Sequence, residues 1–145
     1  MNTLTPYLCC ADAGAAITFY QLAFGAVEVE RWTADDGRIG HAQLDIQGNT
    51  IYLADEHPEI GVVSPNTLGR TPVSLVLEVT DADAAVERAV TSGATVERPV
   101  TDNPGGRRAG WLVDPSGHRW NLSGLSTQTA ELPDRVGQYE VTRGG

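Results

Sequence analysis

An internal repeat constrains the fold of this chain more than any other feature of its sequence. GAVEVER at residues 25–31 returns as GATVERP at 93–99, DIQGNTIYL at 45–53 returns as DPSGHRWNL at 114–122, and ADAGAAI at 11–17 returns as TDADAAV at 80–86. The first pair is offset by 68 residues and the other two by 69. Because the matched segments keep both order and spacing, the two halves are predicted to share one structural plan.

Each half is predicted to form a strand, a helix and then three strands in a meander. TPYLCC and TPVSLVLEV read as the first strands, and Asp12 and Asp81 can cap the helices by accepting hydrogen bonds from free backbone N–H groups. Gly25 and Gly93 suit the left-handed position that ends a helix. The last two strands are joined by a two-residue hairpin turn at QG in the first half and a three-residue turn at PSG in the second.

The chain is therefore predicted to be an α+β protein built from two βαβββ modules, at residues 1–60 and 73–125. Residues 61–72 form a linker, and the proline-containing stretch around it reads as a loop or a lid. Residues 126–145 show no periodicity and are expected to be mobile apart from a short strand in QYEVT. Helical spacing predicts apolar stripes at Phe19, Leu22 and Ala23 and at Ala85, Val86, Ala89 and Val90.

Charge and composition exclude several classes of partner. The formal net charge is -9, so nucleic acid and an anionic membrane surface are not expected to bind. MNTLTPYL lacks the features of a signal peptide, which favours a cytoplasmic protein. The adjacent cysteines Cys9 and Cys10 point to opposite faces of a strand, cannot form a disulfide together, and are expected to be small buried hydrophobes.

Paired βαβββ modules with a DPSGHRW turn resemble the vicinal oxygen chelate superfamily, which includes glyoxalase I, extradiol dioxygenases, fosfomycin-resistance enzymes and bleomycin-resistance proteins. The resemblance covers residues 4–125, and GAVEVERW and GHAQLDI are most similar to the bleomycin-resistance-like branch. It implies mixed sheets that curl around a cavity, with the helices on the outer face. It also implies a homodimer.

The resemblance further implies where metal-binding members hold their ion, with one ligand on the first and one on the last strand of each module. The matching positions here are Thr5, Tyr52, Ser74 and Asn121. Zinc, iron, nickel and manganese sites favour imidazole or carboxylate ligands, and none of these four residues supplies one. We therefore expect neither a metal nor another cofactor.

Strand alternation predicts which side chains face the cavity. Leu112, Trp120 and Leu122 are assigned to the helix side, and Trp32 to the face opposite Val27 and Val29. The three-residue turn pairs Trp111 with Asn121, which makes Trp111 the expected aromatic anchor. The predicted ligand-binding residues are Tyr7, Trp32, His41, Gln43, Tyr52, Ser74, Trp111 and Asn121.

Flat aromatic rings with a few polar groups suit a planar or aromatic organic ligand, and a cationic one would also gain from Glu78. Three functions stay open. The first is metal-free binding or sequestration of such a ligand, for example an antibiotic. The second is a glyoxalase-type lyase or isomerase that uses His41 or Glu78 as its base. The third is an interaction or regulatory protein with a vestigial cavity.

Three further side chains receive structural roles. Asp114 is expected to cap its own turn, and His118 to bond the backbone. Arg108 is expected either to pair with an acid at a subunit contact or to meet a ligand carboxylate.

Overall fold

Two four-stranded sheets of the same topology make up the computed structural model, which describes residues 2–126, 135–136, 139–140, 142 and 144. The first sheet has the order β1-β4-β3-β2 and the second the order β5-β8-β7-β6, with β1 parallel to β4, β5 parallel to β8 and the other pairs antiparallel. The predicted α+β architecture with two βαβββ units is confirmed. The strands are β1 (Tyr7–Cys10), β2 (Val27–Thr33), β3 (Ile39–Ile46), β4 (Asn49–Asp55), β5 (Ser74–Glu78), β6 (Thr95–Asn103), β7 (Arg107–Val113) and β8 (Arg119–Leu125).

Both module helices begin at the predicted capping residues, but only the first ends at its predicted glycine. Helix α1 (Ala13–Phe24) follows β1, and helix α3 (Ala82–Thr91) follows β5. Asp12 and Asp81 each accept a hydrogen bond from the backbone N–H three residues further on, at 3.0 and 3.1 Å. Gly25 ends α1 in the left-handed conformation, with φ of 68°. Helix α3 is instead capped by Ser92, with φ of -85°, and not by Gly93.

One core joins the two halves. Helix α1 packs on the first sheet and α3 on the second, and the two helices contact each other. Trp120 is only 3% exposed, and its ring centroid lies 5.6 Å from that of Tyr20 and 4.8 Å from that of Phe24, both on α1. The tryptophan of the second module thus packs against the helix of the first.

Two residues of the predicted apolar stripes are on the surface instead. Leu22 is 56% exposed and Val90 is 43% exposed. The buried face of α1 centres on Ile17 and Tyr20, because the helix packs against α3 as well as against its own sheet.

The repeat has diverged at the end of its last strand. In the first module the Asp55 carboxylate accepts hydrogen bonds from the backbone N–H groups of Ala13 and Ile39, both at 2.7 Å. The equivalent residue of the second module is Gly124, where a Cβ would lie 2.9 Å from the carbonyl oxygen of Val79. In the second module the backbone at Gly124 therefore packs directly against the neighbouring backbone, whereas in the first module a carboxylate bridges the two.

A β-bulge in β2 overturns one face assignment. The pairing with β3 shifts between Glu28 and Glu30, so Val27 pairs with Asp45 while Trp32 pairs with His41. Paired residues share a face of the sheet, so Val27 lies on the same face as Trp32 rather than opposite it.

The linker is anchored rather than open. A 3-10 turn (Pro58–Ile60) precedes it, and it contains the short helix α2 (Pro65–Leu68). The Glu56 carboxylate accepts hydrogen bonds from the Ser64 N–H at 2.7 Å and from the Thr67 hydroxyl at 2.6 Å. The side-chain amide of Asn66 donates to the carbonyl of Pro115 at 2.7 Å, which ties the linker to the last hairpin turn.

The adjacent cysteines differ in burial. Cys10 is fully buried, which raises the pKa of its thiol to about 12, whereas Cys9 is only partly buried, and both are free thiols.

In the tail, β9 (Arg135–Val136) pairs with β10 (Tyr139–Glu140), and the predicted mobility of 126–145 falls mostly outside the described residues. No helix in the described part of the chain has the length and apolar content needed to cross a membrane.

Candidate ligand-binding site

The face of the first sheet turned away from α1, here called the first open face, carries an aromatic cluster around His41. The ring centroid of His41 lies 4.7 Å from that of Trp32, 4.9 Å from that of Tyr52 and 5.5 Å from that of Tyr7. Although they sit in this cluster, Trp32 is 61% exposed and Tyr7 is 56% exposed. The sheet therefore exposes aromatic surface to solvent.

One ring nitrogen of His41 is hydrogen-bonded, and the other faces an acid at a longer distance. The Tyr7 hydroxyl lies 2.8 Å from Nδ1, and Glu30 Oε1 lies 4.0 Å from Nε2. Desolvation by burial, and then the neighbouring Tyr52, raise the pKa of Tyr7, so its hydroxyl remains protonated at neutral pH and can donate.

The two candidate bases lie on different sheets and have different partners. Glu78 is on β5, its side chain is 80% exposed, and its carboxylate lies 3.6 Å from Nη1 of Arg107. The acid beside His41 is Glu30, which the sequence reasoning missed. A concerted His41–Glu78 pair has no support in this arrangement.

The second open face, turned away from α3, carries Trp111 and Asn121 as cross-strand partners. The Cζ atoms of Arg98 and Arg119 lie over the Trp111 ring, 4.5 and 5.2 Å from its centroid. Trp111 therefore presents a guanidinium layer on at least one side, and not the bare ring that the sequence reasoning assumed.

The two arginines differ in their own partners. Arg119 forms a bidentate pair with Glu97, at 3.0 and 2.6 Å, and this pair lowers the pKa of Glu97. For Arg98 no acid lies within ion-pair distance in the portion of the chain that is described. The cross-strand register that places both arginines beside Trp111 was the signal available in the sequence.

Polar side chains without partners mark both open faces. Asn121 is only 8% exposed, and among the described residues its side-chain amide has no hydrogen-bond partner. Gln43 is partly buried on the first open face and likewise has none within the described ranges. No fully buried side-chain nitrogen or oxygen among the described residues lacks a hydrogen-bond partner, so both amides reach solvent and are available to a ligand.

A cavity of about 680 Å³ lies between residues of β3 and β4 in the first sheet and of β5 in the second. Gln43 and Tyr52 line it from the first module, and Val76 and Glu78 from the second. Its volume is within the range of small-molecule sites. Of the predicted ligand residues, Gln43 and Tyr52 therefore border the cavity directly, while Trp32, His41 and Trp111 belong to the adjoining open faces.

The positions that hold metal in other members of the resembled superfamily offer only neutral oxygen and amide donors here. They are Thr5, Tyr52, Ser74 and Asn121, of which Ser74 opens β5 and Tyr52 pairs with Tyr7. No group of three His, Cys, Asp or Glu residues suited to a metal ion occurs in the described part of the chain. This donor set does not fit a divalent transition metal.

The structural residues near the last turn form a buried network. The Asp114 carboxylate accepts from the backbone N–H groups of Ser116 and His118, as predicted, and also from the Tyr20 hydroxyl and the Trp120 indole N–H. Nε2 of His118 donates to the carbonyl of Cys9 at 2.7 Å.

Arg108 pairs with acids of its own chain. Its guanidinium lies 2.8 Å from Asp83 and 3.4 Å from Asp102. Arg108 pairs across β7 and β8 with Gly124, which places it on the helix side of the sheet and not on the open face.

Comparison with known proteins gives the family. Residues 2–122 match the model of the glyoxalase/bleomycin resistance protein/dioxygenase superfamily. The chain belongs to this superfamily. An uncharacterized protein of Mycobacterium tuberculosis strain H37Rv is 44% identical to this chain. The match covers 82% of this chain and 72% of the mycobacterial protein.

Two other similar proteins have more informative names. The anthracycline biosynthesis protein DauV of Streptomyces sp. strain C5 is 34% identical over 73% of this chain and 35% of its own length. The crystal structure of the fosfomycin resistance protein FosX from Listeria monocytogenes, in complex with Mn(II) and sulfate, superposes with a TM-score of 0.67. It covers 88% of this chain and 94% of FosX at 17% identity, which shows the shared fold alone.

Proposed function

We propose that this superfamily member binds a small planar or aromatic organic molecule without a metal, in the manner of the bleomycin-resistance-like branch. The observation that carries the proposal is the pairing of exposed aromatic rings with unpartnered amides on the open faces. Trp32 and Tyr7 are more than half exposed, and Gln43 and Asn121 have no hydrogen-bond partner among the described residues. Apolar walls with a few convergent polar groups are typical of small-molecule sites.

One similar protein supports a role near antibiotic chemistry. DauV, at 34% identity, is named for anthracycline biosynthesis. Sequestration of an antibiotic or an aromatic metabolite, in the cytoplasm, agrees with that name and with donor positions that do not suit a metal.

A second copy of the chain is the partner that we propose for the open faces. Leu4 is 99% exposed, and Val76 and Leu125 are each 70% exposed, and a partner subunit would cover this apolar surface. The two faces also differ in charge, since Glu30 and Arg98 occupy equivalent places in the repeat. Pairing the first module of one subunit with the second module of the other would bring opposite charges together in a twofold homodimer.

The test uses chelator-treated protein and the neutral fluorescent probe 1-anilinonaphthalene. We expect saturable binding by protein that carries less than about 0.2 equivalents of zinc, nickel, iron, manganese or cobalt. Trp32→Ala should weaken this binding about tenfold or more, as truncation of an aromatic anchor does. Leu22→Ala, an exposed apolar residue on the outside of α1, serves as the control. Stoichiometric metal that is required for binding would refute the proposal.

The 2.8 Å contact between Tyr7 and His41 favours a second candidate function. In the tautomer whose Nδ1–H donates to the Tyr7 oxygen, with the Tyr7 hydroxyl hydrogen directed at the Gly40 carbonyl, Nε2 carries the lone pair. Nε2 can then take a proton from a carbon next to a substrate carbonyl, and Glu30 would stabilise the imidazolium that forms, as a metal-free lyase or isomerase would require. In that case His41→Gln would abolish turnover of a hydroxycarbonyl substrate and leave its binding nearly unchanged. Failure of both ligand binding and turnover would leave the regulatory function with a vestigial cavity.

A further inference from the structure

Four cross-strand partners form one row on the second open face, here called the Arg98 row. Arg98 on β6 pairs with Trp111 on β7, Trp111 pairs with Asn121 on β8, and Asn121 pairs with Val76 on β5. Partners of this kind point to the same side of a sheet, and strands lie about 4.8 Å apart, so the row extends about 14 Å. It therefore runs from a cation through an aromatic ring and an amide to an apolar side chain.

The equivalent row of the first module has the opposite charge at the same end. It consists of Glu30, Gln43, Tyr52 and Tyr7, each at the repeat position of its counterpart. The two modules of the repeat therefore present one acidic row and one basic row. A ligand that meets the second row meets a positive edge in a protein whose net charge is -9.

Arg98 is positioned to receive an anion. Its guanidinium stacks over Trp111, which fixes the plane of the group and leaves its N–H edge free. The charge of Arg119 is already matched by Glu97, whereas no acid pairs with Arg98 within the described residues. The rest of the acidic surface weakens this local field little, because charges farther than about 8–10 Å are largely screened at physiological salt.

Asn121 supplies the second, independent observation. The residue is only 8% exposed next to Trp111, and its amide has no hydrogen-bond partner in the part of the chain described. No fully buried side-chain nitrogen or oxygen is left unpaired there, so this amide is open to solvent or to a ligand. An amide in such a place is stabilised when a ligand atom takes up its donor or acceptor.

We propose that the Arg98 row selects an organic anion, namely a planar aromatic molecule with a carboxylate or sulfonate. The anionic group accepts hydrogen bonds from Arg98, a polar substituent meets Asn121, and the apolar end lies against Val76. This ligand class rests on the proposed small-molecule binding and differs from the cationic ligand that the sequence analysis also considered. Glu78, on which the cation reading relied, already faces Arg107.

The test compares two fluorescent probes that differ by one anionic sulfonate group. They are 8-anilinonaphthalene-1-sulfonate and 1-anilinonaphthalene, which lacks the sulfonate. We expect the wild-type protein to bind the sulfonate at least about tenfold more tightly than the neutral probe, as a charge-assisted hydrogen bond provides. Arg98→Gln should remove this preference, so that the two probes bind with affinities within about twofold of each other.

Arg31→Gln is the matched control, because Arg31 is a surface arginine that pairs with Glu28 on the helix side of the first sheet. An unchanged thermal unfolding midpoint shows that each variant is folded. If both probes bind with equal affinity, or if Arg31→Gln lowers the sulfonate affinity as much as Arg98→Gln, the anion proposal is wrong while ligand binding stands. If neither probe binds, the proposed function itself fails.

Discussion

Asp114 is the single side chain on which the joining of the two modules depends most. It is 4% exposed, and one of its oxygens accepts from both the Tyr20 hydroxyl on α1 and the Trp120 indole on β8. Burial, and next the charge of Asp114, raise the pKa of Tyr20, so the phenol stays a donor. One carboxylate therefore holds residues from both halves of the repeat.

Asp114→Asn should lower the free energy of unfolding by about 2–3 kcal/mol, since an amide nitrogen cannot accept the hydrogen bonds that a carboxylate oxygen accepts. Urea denaturation of the variant and the wild type measures this loss. Asp35→Asn, in an exposed turn, should stay within about 0.5 kcal/mol of the wild type. Equal effects of the two substitutions would show that the network contributes little.

At the scale of elements, the last hairpin turn and the linker depend on each other through Gly117. Its φ is 92°, and a Cβ there would lie 2.5 Å from Oδ1 and 2.9 Å from the backbone nitrogen of Asn66. Gly37 has a similar φ of 89°, but a Cβ there would meet nothing within 4 Å. The two glycines therefore separate backbone strain from steric overlap.

Gly37→Ala should cost about 1–2 kcal/mol, from the strained backbone alone. Gly117→Ala should cost about 1–3 kcal/mol more, because α2 must move away from the turn. Chemical denaturation of the two variants gives the comparison. Equal costs would mean that the linker is not packed against the turn.

The linker should also respond to acid through Glu56. The Ser64 N–H, followed by the Thr67 hydroxyl, holds the pKa of Glu56 below its ordinary value of 4.5. Because the folded-state pKa is depressed, the stabilisation is complete above the unfolded value and is lost as the pH falls through the folded value. The anchor is therefore expected to release in acid.

The measurement is the thermal unfolding midpoint of wild type and Glu56→Gln between about pH 6 and pH 3. The wild type should be more stable at the upper end, and the difference should vanish at the lower end. Glu87→Gln, on the exposed face of α3, should show no such trend. A constant difference across the range would contradict the anchoring role of the Glu56 charge.

The sequence predicted most of the elements but not the details that depend on pairing. The repeat, the caps and the two turn lengths were enough to place every strand of both sheets and the pairing of Trp111 with Asn121. The bulge between Glu28 and Glu30 was not predictable, because the side chains on each side of an extra residue still alternate regularly. Only the pairing of β2 with β3 shows where that residue lies. The stacking of Arg98 and Arg119 was missed because long, flexible side chains settle on partners that only the assembled sheet brings near.

At the scale of the whole molecule, the open faces predict self-association. Light scattering after size exclusion should give twice the chain mass of 15.4 kDa. Val76→Asp places a charge on the second open face and should shift the mass toward the monomer, while Leu22→Asp on the outside of α1 should not. A monomeric wild type at micromolar concentration would contradict the proposed homodimer.

The most direct test of metal-free ligand binding on the open faces is a 15N-correlated NMR titration of chelator-treated protein with 1-anilinonaphthalene. The side-chain amides of Gln43 and Asn121 and the indole N–H groups of Trp32 and Trp111 report on the faces, and the indole of Trp120, bound to Asp114, reports on the core. We predict shifts of the first four signals, saturating together, and little change at Trp120. Shifts confined to the helices, or no shifts until a metal is added, would contradict the proposed site.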